Sequence, residues 1–261
     1  MIREYLFFVG ASLFFCVPIY ARRHTKAKKK IPHIIHQIWI GSPVPEKYKP
    51  LMQTWIDKHP TWEYRLWTDR DIEAFNIENK RLFNNAKNYG LKSDIWRYEI
   101  LWRYGGIYVD TDFECLKSLD ELIAPYELFG AQFGGDPVTL SNGILGACRG
   151  HPAFRACMNR IKALNNIPDD PEKIMLLAGP NCFALEFSRY KKRNPHAWVR
   201  EFSWEYFFPF PPEIRHLFWS HNMTPDELRA YIKPETHAVH YWACSWTTIG
   251  AIEGALPFIL S

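Results

Sequence analysis

The segment Leu91–Phe113, LKSDIWRYEILWRYGGIYVDTDF, constrains the fold more than any other part of the chain. Its pattern predicts a helix from about Lys92 to Tyr104, stopped by Gly105-Gly106, and a strand Ile107–Asp110 leaving it directly. Upstream, IPHIIHQIWIG begins at Ile31 and reads as a buried first strand ended by Gly41, Pro43 and Pro45. A helix is expected around Glu46–Lys58, then an alternating strand Trp62–Trp67. Thr68 with Asp71 three residues on resembles a capping box with Asp in place of Glu. This β-α-β-α rhythm predicts an α/β fold with a mostly parallel sheet covered on both faces, and such sheets bind ligands beyond the carboxyl ends of their strands.

The chemistry-bearing residues fall where that rule puts them. On the predicted helix Asp94, Arg97 and Leu101 stand at i, i+3 and i+7 and share a face. Asp and Arg there are a partnered pair if the face is buried, and a plain surface ion pair if it is solvated. The strand ends in Asp110-Thr111-Asp112. Two carboxylates one residue apart suit a hard divalent cation, with phosphate oxygens completing the shell, and so suit diphosphate chemistry. A DxD alone is common in loops. A two-metal phosphohydrolase would need more carboxylates or histidines than lie near this one.

The charge of +4 is small for 261 residues and sits in one run, Arg22, Arg23, Lys26, Lys28, Lys29 and Lys30. No basic face or reading motif for nucleic acid is visible, so that class is set aside. Hydrophobic content of 47% with 23% charged residues allows a sizeable core, and one catalytic domain over residues 31–261 is expected. The six cysteines show no CxxC pair and no zinc-like spacing, and are expected reduced and buried. Residues Tyr5–Tyr20 form an apolar run slightly short of the ~20 residues that span a bilayer. Within a segment 1–21 it reads as an anchor, a signal segment or a buried helix. The basic linker 22–30 behind it suits anionic headgroups, and its charge would leave the following domain cytoplasmic and membrane-associated, with a lumenal or secreted place still open.

Four segments taken in order, IPHIIHQIWIG, SDIWRYEILWRYGGIYVDTDFECLKSLDEL, SNGILGACRGHP and HYWACSW, resemble the DxD-containing family 32 glycosyltransferases. These include fungal α-mannosyltransferases, inositol-phosphoceramide mannosyltransferases, galactosyltransferases and bacterial capsular enzymes; the large clostridial glucosylating toxins are more distantly similar. The resemblance spans roughly Ile31–Trp246. It implies a GT-A type, Rossmann-like fold and a retaining hexosyltransferase that uses Mn²⁺ or Mg²⁺, a UDP- or GDP-sugar donor and a glycan, lipid or protein acceptor. It further implies a cation at Asp112, Asp110 and His240. Donor contacts would come from Trp39, Asp94, Arg97, Asp110, Asn142, Ser245 and Trp246. The alternative is a catalytically silent nucleotide-sugar-binding protein. Several residues keep a structural reading beside the functional one: Trp39 as core, Asn142 as an Asn-Gly turn rather than part of a strand at the site's edge, and Asp136 as a turn former. Gly179-Pro180 reads as a turn before a helix. WEYFFPFPP, residues 204–212, is either buried or an acceptor groove. His33 and His36 receive no role.

Overall fold

The computed structural model describes residues 29–134, 139–166, 170–214, 216–217 and 223–245. The apolar run 5–20, most of the basic linker, Asp136 and Trp246 lie outside the described residues. Among the described residues there are eight strands: β1 Ile34–Ile38, β2 Glu63–Trp67, β3 Gly106–Val109, β4 Phe113–Cys115, β5 Leu128–Phe133, β6 Thr139–Ala147, β7 Val199–Phe202 and β8 Ala238–His240. The helices include α1 Lys49–Lys58, α2 Ile72–Phe75, α3 Lys80–Asn85, α4 Tyr89–Tyr104, α5 Asp120–Ile123, α6 Pro152–Lys162, α7 Pro171–Leu177 and α8 Pro180–Arg193. Six strands form one sheet in the order β2-β1-β3-β6-β5-β7, in which only β6 runs against the rest. The mixed α/β reading with a mostly parallel sheet therefore holds. β4 and β8 make a separate antiparallel pair.

Local sequence accounts for the elements that matter. α4 starts at Asn88, whose side chain accepts from the Leu91 N–H at 3.1 Å, and it stops at Gly105 (φ 68°). Gly106 (φ 96°) then turns the chain into β3; a Cβ there would lie 2.5 Å from the Ile34 carbonyl oxygen of β1. Only glycine lets β3 seat beside β1 at that point. The expected capping box is present, with the Thr68 N–H donating to Asp71 Oδ2 at 2.8 Å. The helix expected over Glu46–Lys58 begins as a 3-10 turn, Glu46–Tyr48, before α1.

Alternation along β3 separates two cores. Ile107 and Val109 pack with Ile35 of β1, Trp55 of α1 and Phe113 of β4 on one face. Tyr108 turns to the other face, which α4, α6 and α8 cover. Within residues 204–212, Phe207, Phe208 and Phe210 are fully buried, and Phe208 meets Phe113 edge-on at 5.3 Å. The buried reading thus holds for Phe207–Phe210, while Trp204–Tyr206, Pro211 and Pro212 are half-buried. Pro180 opens α8 behind Gly179, as the turn-before-helix reading expected. Cys115, Cys148, Cys157 and Cys182 are free and buried, and Cys244 is free and half-buried. No helix among the described residues is long and apolar enough to cross a membrane.

Candidate functional site

A cavity of about 470 Å³ opens beyond the carboxyl ends of β1 and β3, where a parallel sheet presents ligands. Trp39, Asp94, Arg97, Asp110, Asp112, Asn142, His240 and Ser245 all line it. Of the site residues expected from sequence, every one among the described residues is brought to this one space.

The cation-type cluster is assembled by the small β4–β8 pair. Phe113 of β4 stands opposite His240 of β8, which carries the histidine across to the preceding Asp112. His240 Nε2 lies 3.1 Å from Asp112 Oδ2 and 3.2 Å from Oδ1, and the Ala243 N–H donates to Oδ2 at 2.8 Å. Burial works against the Asp112 charge, but His240 and the backbone N–H outweigh it and hold the carboxyl below its usual range. The imidazole is sandwiched by aromatic rings, stacked on Phe113 at 4.4 Å and meeting Trp242 at 4.4 Å, so its direction is fixed. Trp242 (φ 51°) and Cys244 (φ 46°) both take left-handed backbone, strain of order 1–3 kcal/mol each that tends to mark functional segments. Asp110, Asp112 and His240 each offer an atom within 4.8 Å of the others. Two carboxylate oxygens and one imidazole nitrogen facing a common cavity fit a Mn²⁺- or Mg²⁺-type ion.

The second cluster lies on α4 and β6. Asp94 is buried, accepts from Asn142 Nδ2 at 2.7 Å and pairs with Arg97 at 3.2 Å. Burial raises its carboxyl from 3.8 to about 6; Asp110 adds to the rise, while Arg97 and Asn142 oppose it. Arg97 donates to the Asn142 carbonyl at 2.6 Å and to Ser93 Oγ at 3.1 Å, and lies 3.4 Å from Asp110 Oδ1. Burial disfavours its charge, but the surrounding Asp110, Tyr108 and Asp94 more than compensate. The partnered-and-buried reading of the Asp94/Arg97 face is thus the observed one. Leu101, on the same face one turn later, is in the core.

Asn142 owes its place to a bulge. The β5–β6 register jumps from Gly130↔Leu145 to Ala131↔Ser141, so Asn142, Gly143 and Ile144 leave that ladder. A bulge re-aims side chains and frees backbone groups. Here it aims the Asn142 amide at Asp94 and its carbonyl at Arg97, while Gly143 O takes the Asp110 N–H at 2.8 Å. The dipeptide is not a hairpin turn. Trp39 is half-buried at the cavity wall, its indole N–H on Ser42 Oγ at 3.2 Å and its ring 4.9 Å from Tyr48. His36 is structural: Nε2 donates to the Gly105 carbonyl at 2.9 Å, Nδ1 accepts from Trp67, and burial lowers its pKa to about 4.

The sequence reading passed over Ser93, Tyr48, Tyr108, Gly143 and Trp242, all of which line the cavity. For two of them a signal was present. Tyr108 stands two residues before Asp110 on one strand, hence on the same face; Ser93 stands four before Arg97 on one helix.

Residues 45–129 match the family described as a glycosyltransferase sugar-binding region containing a DXD motif. The matched region includes α4, β3 and both aspartates of Asp110-Thr111-Asp112. Inositol phosphoceramide mannosyltransferase 2 of Schizosaccharomyces pombe is 34% identical over 64% of this chain and 49% of its own length. A mannosyl phosphorylinositol ceramide synthase of Saccharomyces cerevisiae is 33% identical over 62% of this chain and 43% of its own. The chain thus spans about half the length of the curated relatives it matches. Among solved structures, the PaToxG glycosyltransferase superposes with a TM-score of 0.51 at 20% identity, covering 63% of this chain and 71% of that one. The ligand-free glycosyltransferase domain of the YGT toxin gives 0.53 at 11% identity, covering 67% and 80%. The fold that holds residues 45–129 is similar to that of these GT-A glycosyltransferases.

Proposed function

We propose that this chain is a metal-dependent retaining hexosyltransferase that takes its sugar from a nucleotide-sugar donor. The observation that carries the reading is the meeting of Asp110, Asp112 and His240 within 4.8 Å, in the same cavity as the Asp94–Arg97–Asn142 cluster. Asp112, Asp110 and His240 would hold Mn²⁺ or Mg²⁺, which when bound supplies positive charge to the leaving diphosphate. The chain's own residues do the rest. Asp94 accepts from a donor-sugar hydroxyl, Arg97 donates to sugar or phosphate oxygens, and the Asn142 amide fixes Asp94. Trp39 offers a ring edge to the nucleoside, and Ser245 a hydroxyl to the phosphates at the outer wall. The membrane association and the cytoplasmic face expected from the amino-terminal residues belong to this proposal. The names of the relatives, mannosyl transfer to an inositol phosphoceramide, support a mannosyl donor and a lipid-linked inositol as the first substrates to try.

The test is nucleoside diphosphate release from a panel of UDP- and GDP-sugars, with Mn²⁺ or chelator, by the wild type and by Asp110→Ala/Asp112→Ala. Metal-dependent turnover of one donor that the variant lacks is expected, with retained anomeric configuration in the product. Donor binding without turnover, even with an inositol-lipid acceptor present, would instead identify a silent nucleotide-sugar-binding protein.

A further inference from the structure

Tyr108 is buried to 1% exposure on the α4 side of the sheet, where a phenol hydroxyl without a partner would be costly. It has two. The hydroxyl donates to Asp110 Oδ1 at 2.6 Å and lies 3.2 Å from Ser93 Oγ. The same Oδ1 faces Arg97 Nη2 at 3.4 Å, longer than a good charge-assisted hydrogen bond, while the guanidinium sits 4.3 Å above the Tyr108 ring. Among the described residues nothing donates to the other oxygen, Oδ2, and the Asp110 side chain keeps 30% of its surface against 10% for Asp112. One oxygen of Asp110 is therefore held inside by a phenol, and the other faces the cavity.

We propose that Tyr108 is a positioning residue for the cation: by occupying Oδ1 it keeps Asp110 from closing onto Arg97 and presents Oδ2 to the ion. The geometry offers Asp110 two competing fates. An Arg fork takes a carboxylate bidentately, which would withdraw both oxygens from a metal. With the phenol on Oδ1 and its ring beneath the guanidinium, Arg97 is spent on the Asn142 carbonyl and Ser93 instead. Outer partners of this kind set ligand orientation and commonly change metal affinity by ~10–100-fold when removed. The proposal rests on the metal-dependent reading above.

The experiment is Mn²⁺ titration of the protein, followed by the electron paramagnetic resonance signal of free Mn²⁺, with and without GDP or UDP. Wild type, Tyr108→Phe, Tyr190→Phe and Asp112→Ala are compared. Tyr108→Phe keeps the ring under Arg97 and loses only the hydroxyl, and is expected to bind Mn²⁺ ~10–100-fold more weakly. Tyr190→Phe, which deletes a phenol bonded to Glu127 at 2.8 Å on α8, should leave the affinity unchanged. Melting temperatures separate a positioning role from a merely structural one, because Tyr108→Phe should melt within a few degrees of wild type. Mn²⁺ affinity in Tyr108→Phe equal to wild type overturns the proposal while leaving the metal site standing. Failure of wild type to bind Mn²⁺ better than Asp112→Ala overturns both.

Discussion

At the scale of single residues, Asp94 stands out because its place is unfavourable for the fold. Its carboxyl titrates near 6 in the folded chain against an ordinary 3.8. A raised carboxyl pKa means that its contribution to stability is fully present below about pH 4 and is lost as pH rises through 6. The loss amounts to about 3 kcal/mol, from roughly 1.4 kcal/mol per pKa unit. A residue kept at such a position is better explained by what it does than by what it stabilises. Asp94→Asn is therefore expected to melt several degrees above wild type at pH 8 and at the same temperature at pH 4, while donor turnover falls at least ~10-fold. Melting curves of the two proteins from pH 4 to 8 check this, and a pH-independent difference would exclude Asp94 as its cause. His36 presents the opposite case, since both ring nitrogens are satisfied by Gly105 and Trp67 and nothing is left for a ligand.

At the scale of elements, two glycines separate fold from function. Gly106→Ala would set a methyl 2.5 Å from the Ile34 carbonyl at φ 96°, where backbone strain adds to the clash between β3 and β1. Loss of at least about 3 kcal/mol, seen as a sharply lowered melting temperature or insoluble protein, is expected. Gly143→Ala would set its methyl 2.9 Å from Asp110 Oδ2 in the β6 bulge, where a side chain and not backbone must yield. It should melt near wild type yet need ~10-fold more Mn²⁺ for half-maximal turnover, read from activity against metal concentration. The same contrast explains what the sequence disclosed. The α4 stop and the β3 strand were legible because Gly105-Gly106 and the short apolar run Ile107–Val109 that follows are local signals. The bulge at Asn142 was not, because it arises from a register shift against β5 while β3 stays paired, and no local pattern encodes two partners at once. Tyr108 escaped notice because a tyrosine in an apolar strand reads as core, which it is, and its polar end was overlooked.

At the scale of the whole molecule, the proposed cation site is non-local. Asp110 and Asp112 follow β3, whereas His240 arrives 128 residues later through β8, and the Ala243 N–H that holds Asp112 comes still later. Such a site exists only when the chain's last described strand has docked on β4, so ligand and fold should stabilise each other. A ligand at about 100 times its Kd adds about 2.7 kcal/mol, which for a chain of this size raises the melting temperature by ~5–10 °C. Mn²⁺ with GDP or UDP should produce a shift of that order in wild type, whereas Mg²⁺ with chelator should produce none. Asp112→Asn keeps an acceptor for the Ala243 N–H but loses the charge that faces His240, so at neutral pH its unliganded melting temperature should fall below wild type, and the ligand-induced shift should fall to a degree or less. Scanning calorimetry of both proteins over a titration of metal and nucleotide decides between the outcomes. A shift of equal size in Asp112→Asn would mean that the nucleotide binds without the aspartate pair and that the DxD acts through something other than a cation.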